Sequence, residues 1–326
     1  MIKRHTIIIL SVLALLLLIW WLRTHREQTV TKSEFALGTF IEITATGINP
    51  EPAVASAFAE IRRIEQLTGL NRNSDLDLVN RWAGIKPVRV SEDTMKILKF
   101  IQKYDQLVAG VFDPTIAPLI ELWGFGYEGR PHLPQAEEIR SIISLVNFKQ
   151  VKLDSQAGTV MLGRKGMGLD LGGIAKGYAI DRAYQKLRQA GINSALINGG
   201  SSSIRVIGRR ADGRDWQIGI GHPRKTGSLL ERLTLPHDRA LGTSADTQNF
   251  FIHNQVRYHH ILNPRTGFPA RDKILVTVVA PTAMESDLLS TAFFILPLAQ
   301  IRQALKKLPE VQVILMDRRQ KVIKIN

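Results

Sequence analysis

The stretch MGLDLGGIAKGYAIDRAY, residues 167–184, sets an aspartate and two adjacent glycines directly in front of an amphipathic helix. Ile180 and Leu187 fall on one face of that helix, and Gly191 is a suitable C-terminal stop. The helix is therefore expected to begin near the glycine pair, with unpaired N–H groups that attract anions. The alternative is a tight turn in which Asp170 caps the helix. Either way, the stretch predicts a strand, a turn and a helix in succession.

Strand-like runs lie on both sides of this helix. They are FALGTFIEITATG at 35–47, SALIN at 194–198, WQIGIG at 216–221, RYHHIL at 257–262 and KILVTVVA at 273–280. Further helices are predicted at residues 52–69 and about 91–108, the first ending at Gly69 and the second capped by Ser91. The strands do not alternate regularly with helices, so the pattern predicts an α+β fold with mainly antiparallel strands. Because no repeat or linker interrupts residues 34–326, we expect one domain there.

Composition narrows the class of protein. The chain has 326 residues, a formal net charge of +14 and no cysteine. Its positive charge suits anionic partners such as a phosphorylated cofactor or an anionic membrane surface. The basic residues are scattered and match no nucleic-acid-binding motif, so nucleic acid is not an expected partner. The absence of cysteine excludes disulfides and thiolate metal sites.

The N-terminal segment predicts a membrane anchor. The run TIIILSVLALLLLIWWL, residues 6–22, is uncharged and close to the shortest length that spans a bilayer, with Trp20 and Trp21 at an interfacial position. A cleaved signal peptide is the alternative, but no small-x-small cleavage site follows. We therefore expect an uncleaved signal anchor over residues 1–26 and a polar linker over 27–33.

A second motif, PTAMESDLLSTAFFIL at residues 281–296, predicts a metal site. Thr282 and Glu285 have capping-box spacing, so a helix should begin just after Thr282. Asp287, Ser290 and Thr291 then share one helix face. A carboxylate with hydroxyls is a hard-oxygen set that suits Mg²⁺. The alternative is a surface aspartate beside a Thr hydroxyl that bonds back to its own helix.

A third cluster, YHHILNPRTGFPA at residues 258–270, joins a strand with two histidines to a turn. Arg265 could bind phosphate or brace the loop. His259 and His260 alternate across the strand, so one of them should face inward, where a lone histidine is usually a hydrogen-bonded core residue. Two other segments, INGGSSSIRVIG at 197–208 and VFDPTIAPLIELWGFG at 111–126, read as ordinary turns when taken alone.

Taken together and in this order, these segments resemble the FAD:protein FMN transferase family, also called the ApbE or flavin transferase family. The resemblance spans LGTFIEI, FDPT, LWGFG, DLGGIAKGYAID, INGG, HHILNPRTG and SDLLSTAFFIL. It implies a T-fold-like α+β core with FAD as the donor substrate and Mg²⁺ as the usual metal. It also implies transfer of FMN to a Thr or Ser hydroxyl of an acceptor protein, release of AMP, and an extracytoplasmic location. With the anchor, this predicts a domain on the periplasmic side of the inner membrane.

The resemblance also assigns individual residues. It implies metal coordination by the carbonyl of Gly173 and by Asp287 and Thr291, with Ser290 beside them. The positions that fall where the family contacts FAD are Leu37, Phe112, Asp113, Asp170, Lys176 and Leu262, and Arg265 is added as a phosphate ligand. His260 falls in the family's histidine-containing turn and is our candidate for orienting or deprotonating the acceptor hydroxyl, with Asp287 holding the metal.

The chain departs from the family at several positions. Leu37 stands where Met is usual, Asn263 replaces the common Asp, Ser201 follows the glycine pair where an acidic or amide residue is typical, and the lipobox cysteine is missing. Asn263 removes a carboxylate near the expected active centre. Two other functions therefore stay open, namely a Mg²⁺-dependent FAD pyrophosphatase that gives free FMN and a non-catalytic flavin-binding protein.

Overall fold

The protein is described here by a computed structural model that covers residues 26–69, 72–126, 129–200 and 202–325. The apolar run at residues 6–22 and Ser201 lie outside these ranges, so the anchor predicted over residues 1–26 stays a prediction. Within the described ranges, no helix combines the length and the apolar character that crossing a membrane requires.

Most of the strands belong to one antiparallel sheet. In chain order they are β1 (Gln28–Ala36), β2 (Thr39–Gly47), β3 (Val88–Arg89), β4 (Val151–Asp154), β5 (Thr159–Leu162), β6 (Ser194–Gly199), β7 (Ser203–Ile207), β8 (Trp216–Gly221), β9 (Leu229–Leu235), β10 (Ala240–Ala245), β11 (Phe250–His253), β12 (Val256–His259), β13 (Lys273–Ala280), β14 (Gln312–Asp317) and β15 (Val322–Ile325). Eight of these form the central sheet in the order β1-β2-β6-β7-β10-β13-β14-β15, with antiparallel pairing between neighbours. The other strands form small sheets at its edges and faces, so the fold is mixed and mainly antiparallel.

Helices cover one face of the central sheet. In chain order they are α1 (Glu51–Thr68), α2 (Asp75–Arg81), α3 (Glu92–Tyr104), α4 (Ala117–Leu122), α5 (Ala136–Ile142), α6 (Ala175–Gln189), α7 (Ala283–Ile295) and α8 (Leu298–Leu305). Helix α7 packs on β10 and β13, α6 packs against α7, and α1 packs against α6. The main apolar core lies between the sheet and these helices.

The other face of the sheet is covered in part by the hairpin of β8 and β9. Ile218 packs with side chains of β7 and β10, and Ile220 packs with side chains of β13 and β14. Strand β13 is therefore covered on both faces, and all eight of its residues are buried. This double coverage explains why KILVTVVA reads as a continuous apolar run rather than an alternating one.

Helix α7 is held at both ends by buried charges. At its N-terminus, the Asp181 carboxylate accepts hydrogen bonds from the N–H groups of Ala283 and Met284, at 2.8 and 2.9 Å, and pairs with the Arg205 guanidinium. At its C-terminus, Lys273 Nζ donates to the carbonyl of Leu296 at 2.5 Å. An anion at the first turn and a cation at the last turn both complement the helix dipole. The two contacts fix α7 against α6 and the sheet.

Two expectations for the N-terminal part were wrong. Residues 28–33, expected as linker, belong to β1, which pairs along its whole length with β2 from Gln28↔Gly47 to Ala36↔Thr39. The strand is polar because it lies at the sheet edge. The run at 35–47, expected as one strand, is divided by a two-residue hairpin turn at Leu37 and Gly38, whose φ angles are +52° and +73°. Consecutive left-handed residues are typical of such tight turns.

The predicted helix ends were more accurate. Helix α1 ends at Thr68 with Gly69 after it, Ser91 caps α3, and Thr282 caps α7 by accepting from the Glu285 N–H at 3.2 Å. The reciprocal half of the capping box is absent from α7, because the Glu285 carboxylate accepts instead from the Tyr104 hydroxyl at 2.5 Å. Helix α3 ends at Tyr104, four residues earlier than the expected end at 108.

Replacing Asp181 tests how much this buried contact contributes to stability. Asp181→Ala leaves Arg205 buried without its carboxylate and frees two N–H groups at the start of α7. We expect the free energy of unfolding, measured by urea denaturation, to fall by about 3–5 kcal/mol. Asp212→Ala, which removes an exposed ion pair with Arg214, should leave it unchanged within error. Equal stability of both variants would show that α7 does not depend on Asp181.

Candidate functional site

A cleft of about 670 Å³ opens where the start of α6, the middle of α7 and the ends of several strands meet. All but one of the candidate catalytic, cofactor-binding and metal-binding residues line this cleft. They are Leu37, Phe112, Asp113, Asp170, Gly173, Lys176, His260, Leu262, Asp287, Ser290 and Thr291. The structure thus brings together positions that are up to 254 residues apart in sequence, from Leu37 to Thr291. Arg265 is the exception.

The glycine pair of the opening motif forms the turn before α6. Asp170 Oδ1 accepts the N–H of Gly172 at 2.7 Å, so Asp170 shapes this turn and does not cap the helix, which begins at Ala175. Gly173 packs tightly: a methyl group on it would lie 3.0 Å from the ring of Phe112 and 3.5 Å from Oγ1 of Thr291. A side chain at this position would press on the Phe112 ring, whereas its distance to Thr291 is ordinary van der Waals contact. The predicted metal residues Gly173 and Thr291 are therefore neighbours.

Asp287 is the carboxylate at the centre of the cleft. It is 7% exposed, and both of its oxygens lie 2.7 Å from the hydroxyl of Ser203 on β7. Burial raises the pKa of Asp287 to about 7, although the positive charge of Lys176 and the bond from Ser203 oppose the shift. Such a carboxylate is poorly stabilised by its own surroundings. It would gain from a cation in the cleft.

Lys176 is the cation whose positive charge acts on the Asp287 carboxylate. It lies in the first turn of α6, where its Nζ is hydrogen-bonded to Ser202. Burial lowers the pKa of Lys176, and the negative charge of Asp287 opposes that shift. Lys176 and the N-terminus of α6 together make this side of the cleft positive, which suits a phosphate group.

A hydroxyl cluster adjoins Asp287. Ser244, at the end of β10, lies 2.9 Å from Oγ of Ser290 and 3.2 Å from Oγ1 of Thr291. Ser290 also donates to the carbonyl of Asp287 at 3.0 Å, a bond back to its own helix, whereas the alternative for this motif required such a bond from the Thr hydroxyl. For Thr291, the described part of the chain shows no such backbone bond, so its hydroxyl is directed into the cluster.

These groups fit a hard divalent cation. Every donor offered is an oxygen, from the Asp287 carboxylate, the Thr291 hydroxyl and the Gly173 carbonyl. Within the described residues, no group of three or more His, Cys, Asp or Glu side chains could hold a metal ion. A site with one carboxylate suits Mg²⁺, which retains water and takes further oxygens from a bound phosphate. It does not suit a metal that needs several nitrogen or sulfur ligands.

The two adjacent histidines differ in the hydrogen bonds that their ring nitrogens make. His259 is the inward one: its Nε2 lies 2.7 Å from the carbonyl of Ala270, and its Nδ1 accepts from the N–H of Ile261 at 3.2 Å. Burial lowers the pKa of His259 to about 4, so it is a neutral core residue with both nitrogens bonded, as expected for an inward histidine.

His260 lines the cleft. Its Nδ1 lies 3.0 Å from the carbonyl of Gln248 and must donate a proton to that oxygen. In the neutral ring, Nε2 therefore carries a lone pair. Burial and the charge of Lys176 lower the pKa of His260, although bonds to the backbone at 248 and 249 oppose this. His260 is thus neutral near pH 7 and able to accept a proton.

Asp113 and Leu37 shape the wall of the cleft. Asp113 Oδ1 accepts from the N–H and the hydroxyl of Thr115, at 2.8 and 2.5 Å, and Oδ2 accepts from the N–H of Phe148 at 3.0 Å. Oδ1 is thereby committed to the loop before α4 and Oδ2 to the segment before β4. Leu37 sits in the β1–β2 turn, and its N–H donates to Glu65 at 2.7 Å. Asp113 and Leu37 thus shape the cleft wall through hydrogen bonds that involve backbone N–H groups.

The turn after β12 explains Arg265 and Asn263. The exposed Arg265 lies outside the cleft lining, and its guanidinium donates to the carbonyl of Ala109. Of the two roles open to it, this bond supports the loop brace, and the contact with the cofactor stays a prediction. Asn263 Oδ1 accepts the N–H of Arg265 at 2.9 Å. An amide oxygen makes this bond as well as a carboxylate does, so the departure at Asn263 leaves the turn intact.

Several polar residues of the site were missed from the sequence. Ser203 and Ser202 lie in INGGSSSIRVIG, which reads as an ordinary turn, and Ser244 lies in LGTSADTQ, which has no recognisable spacing. They act through partners that are distant in sequence: Ser244 contacts Ser290 on α7, 46 residues away, Ser203 contacts Asp287, 84 residues away, and Ser202 contacts Lys176 on α6, 26 residues away. A run of small hydroxyl residues at the end of a strand is the one local signal that could have indicated them.

Comparisons with known proteins agree with this geometry. The model of the ApbE family matches residues 37–315. An FAD:protein FMN transferase of Klebsiella pneumoniae (strain 342) is 31% identical over 276 residues, which cover 84% of each chain. One from Treponema pallidum (strain Nichols) is 29% identical over 307 residues, covering 89% of this chain and 84% of its own.

Solved structures give the same result. The crystal structure of the ApbE protein from Thermotoga maritima superposes with a TM-score of 0.83 at 31% identity, covering 91% of this chain and 97% of that one. The flavin transferase ApbE from Vibrio cholerae superposes with a TM-score of 0.81 at 25% identity, covering 92% and 97%. The mainly antiparallel α/β architecture is therefore shared with these structures.

The raised pKa of Asp287 predicts a pH dependence of stability in the metal-free protein. An unfolded aspartate releases its proton near pH 4, whereas folded Asp287 keeps it to about pH 7. The folded state therefore binds more protons in this window, and stability falls as pH rises through it. In chelator, Asp287→Asn should gain roughly 2–3 kcal/mol over the wild type between pH 5 and pH 8, measured by urea unfolding.

Glu42→Gln, which neutralises an exposed carboxylate, controls for the change in net charge. Parallel stability curves for Asp287→Asn and the wild type would mean that Asp287 is not the group responsible.

Proposed function

The chain belongs to the ApbE family, and on this basis we propose that it transfers FMN from FAD to a Thr or Ser hydroxyl of an acceptor protein, with Mg²⁺ bound at Asp287 and AMP released. The transfer of FMN from FAD to a protein is the activity for which the relatives are named. The observation that carries the proposal is the buried Asp287 carboxylate, which faces Lys176 and a hydroxyl cluster inside a cleft. The bound Mg²⁺ and the Thr or Ser hydroxyl as acceptor are the parts of the proposal that go beyond the activity for which the relatives are named.

The reaction exchanges a phosphoanhydride bond for a phosphoester bond. The acceptor hydroxyl oxygen attacks the phosphorus on the FMN side of the pyrophosphate, and the bond from that phosphorus to the bridging oxygen breaks. AMP leaves with the bridging oxygen, and the hydroxyl proton is released. Bound Mg²⁺ would neutralise charge that develops on the pyrophosphate oxygens. Asp287, Thr291 and the carbonyl of Gly173 are the groups that would hold it.

Residues of α6 would bind the pyrophosphate. Lys176, in the first turn of α6, lines the cleft together with Asp287, so a dianionic pyrophosphate bound there would lie close to both a cation and the metal site. The absence of a side chain at Gly173 leaves the backbone open to the ligand. The role of these residues is to position the phosphorus and stabilise charge.

His260 is the proton acceptor in this proposal. Its Nδ1–H is held by the Gln248 carbonyl, so Nε2 is the nitrogen with a lone pair, and its lowered pKa keeps it neutral near pH 7. A neutral imidazole in the cleft can take the hydroxyl proton as the new phosphoester forms. The bond to Gln248 also fixes the ring orientation, as the carboxylate or carbonyl partner of a catalytic histidine does.

The products distinguish this proposal from its two alternatives. With FAD, Mg²⁺ and a purified flavin-accepting protein domain, we expect covalent FMN on one Thr or Ser, seen as a fluorescent band after denaturation, and an equal amount of AMP. Asp287→Ala should lower the rate of AMP release by at least about 100-fold because the metal site loses its carboxylate. Free FMN that forms at the same rate with or without acceptor would instead identify a pyrophosphatase, and unchanged FAD a binding protein.

We further propose that residues 1–26 anchor the protein in the cytoplasmic membrane, with the transferase domain on the periplasmic side. The uncharged run at 6–22, its tryptophan pair and the missing cleavage site support this location. β1 begins at Gln28, so the folded domain starts within a few residues of the run. The active cleft would then serve acceptor proteins outside the cytoplasm.

The anchor predicts the N-terminus and the topology of the mature protein. Mass spectrometry of the purified protein should find the N-terminal segment intact, and the protein should stay in the membrane fraction through a high-salt wash. Protease added outside the cytoplasmic membrane should digest residues 34–326. A mature chain that starts near residue 25–35 would show that the segment is a cleaved signal peptide.

A further inference from the structure

Exposed aromatic side chains collect around the mouth of the cleft. Within the described residues, the phenylalanines with exposed side chains are Phe35, Phe40, Phe250 and Phe268, at 65%, 69%, 38% and 37% exposure. Each is at most four residues along the chain from one that lines the cleft. Of the 12 phenylalanines in the chain, the exposed ones that the structure describes thus lie in or next to segments that line the cleft. Exposed aromatic clusters of this kind mark binding surfaces.

The pair Phe35 and Phe40 forms one side of this rim. The two residues face each other across the β1–β2 hairpin, and their rings meet edge to face with centroids 5.4 Å apart. The turn between them, Leu37–Gly38–Thr39, lines the cleft. The pair is therefore attached directly to the wall of the site, yet most of its surface is in solvent.

The hairpin of β11 and β12 forms the other side. It is rooted in the cleft by Asn249 at one end and His260 at the other. Its outward face carries Phe250, with the Arg257 guanidinium 3.6 Å from the ring centroid, and Ile252, which is also exposed. The inward face packs on Trp123 through Phe251 and Tyr258. The hairpin is thus held firmly while its outward apolar face stays open.

Resting on the proposed function, we infer that this rim, with the pair Phe35–Phe40 as its main element, is the docking surface for an apolar patch of the folded acceptor protein. The candidate FAD contacts include Leu37 at the tip of the β1–β2 hairpin but neither Phe35 nor Phe40, so the exposed rings of this pair are left for the second substrate. That substrate is a protein, whose hydroxyl must reach the cleft through this mouth. Aromatic side chains are enriched at the centres of protein interfaces because they bury much area with few rotatable bonds.

A membrane surface is a poorer match for the same side chains. Glu42 is exposed and shares the hairpin face of Phe35 and Phe40, two residues further along β2. The neighbouring Glu34 is half-exposed and paired with Arg62. Carboxylates beside the pair oppose its insertion into anionic lipid, where they would be repelled and desolvated. The charges around the pair therefore favour a protein partner.

The experiment separates binding of the acceptor from binding of FAD. In the full-length protein, Phe35→Ser with Phe40→Ser should raise the KM for a purified acceptor domain that the wild type labels by about tenfold. At saturating acceptor, kcat should stay within about twofold. Phe250→Ser should raise the same KM by a smaller factor. Ile85→Ser, which replaces an exposed apolar residue outside the cleft lining, is the matched control and should leave the KM unchanged.

Three outcomes would overturn the inference. The first is a wild-type acceptor KM in the double variant. The second is an equal loss of FAD affinity, measured by flavin fluorescence without acceptor, because the hairpin would then act through the cleft. The third is an unchanged KM with weaker binding to phosphatidylglycerol–phosphatidylethanolamine vesicles, which would assign the pair to a membrane. Failure of the proposed function is seen separately, in a wild type that labels no acceptor.

Discussion

The buried carboxylate of Asp181 is the contact on which the site depends. It belongs to α6, yet it binds the N-terminus of α7 and the guanidinium of Arg205 on β7, so one side chain joins three elements. Gly177, one turn earlier on α6, lets the helices touch, since a methyl group there would lie 2.2 Å from the carbonyl of Ala283. Lys176 and Asp287 are each within six residues of this junction along their helices. Their separation is therefore set by the core, not by flexible loops.

This arrangement leaves the charge of Asp287 buried in the site. Helix α7 is buried along its length except at Met284 and Thr291, so Asp287 cannot turn to solvent. Its charge is met by the hydroxyl of Ser203, by a backbone bond from Gly177 and by Lys176, which is itself partly desolvated and has a lowered pKa. A cation bound at Asp287, which takes its other ligands from water and phosphate, would offset the free-energy cost of burying the ionised carboxylate. Proton and metal then compete for the same oxygens, so affinity for the metal should rise as pH rises past about 7.

The sequence predicted the parts of this structure that local rules determine. The caps at Ser91 and Thr282, the stop at Gly69 and the apolar run of β13 follow from spacing and residue type. β1 was missed because its polar residues pair at a sheet edge, where exposure on both sides hides the strand pattern. Ser203 and Ser244 were missed because each acts on a residue of α7 that only the fold brings near. The role of Arg265 stayed open because a basic residue in a turn suits a phosphate and a carbonyl equally well, and the structure shows its bond to the carbonyl of Ala109.

The floor and the rim of the cleft are built from different elements of the fold. Its floor comes from α6, α7 and β10, which are buried in the main core and carry hydroxyls, a carboxylate and an ammonium group. Its rim comes from the β1–β2 turn and the β11–β12 hairpin, which lie at the edge of the fold and carry exposed aromatic side chains. Changing a floor residue disturbs core packing, whereas exposed rim residues can change at little cost in stability. The choice of protein substrate can therefore vary through the rim while the chemistry on the pyrophosphate stays fixed by the floor.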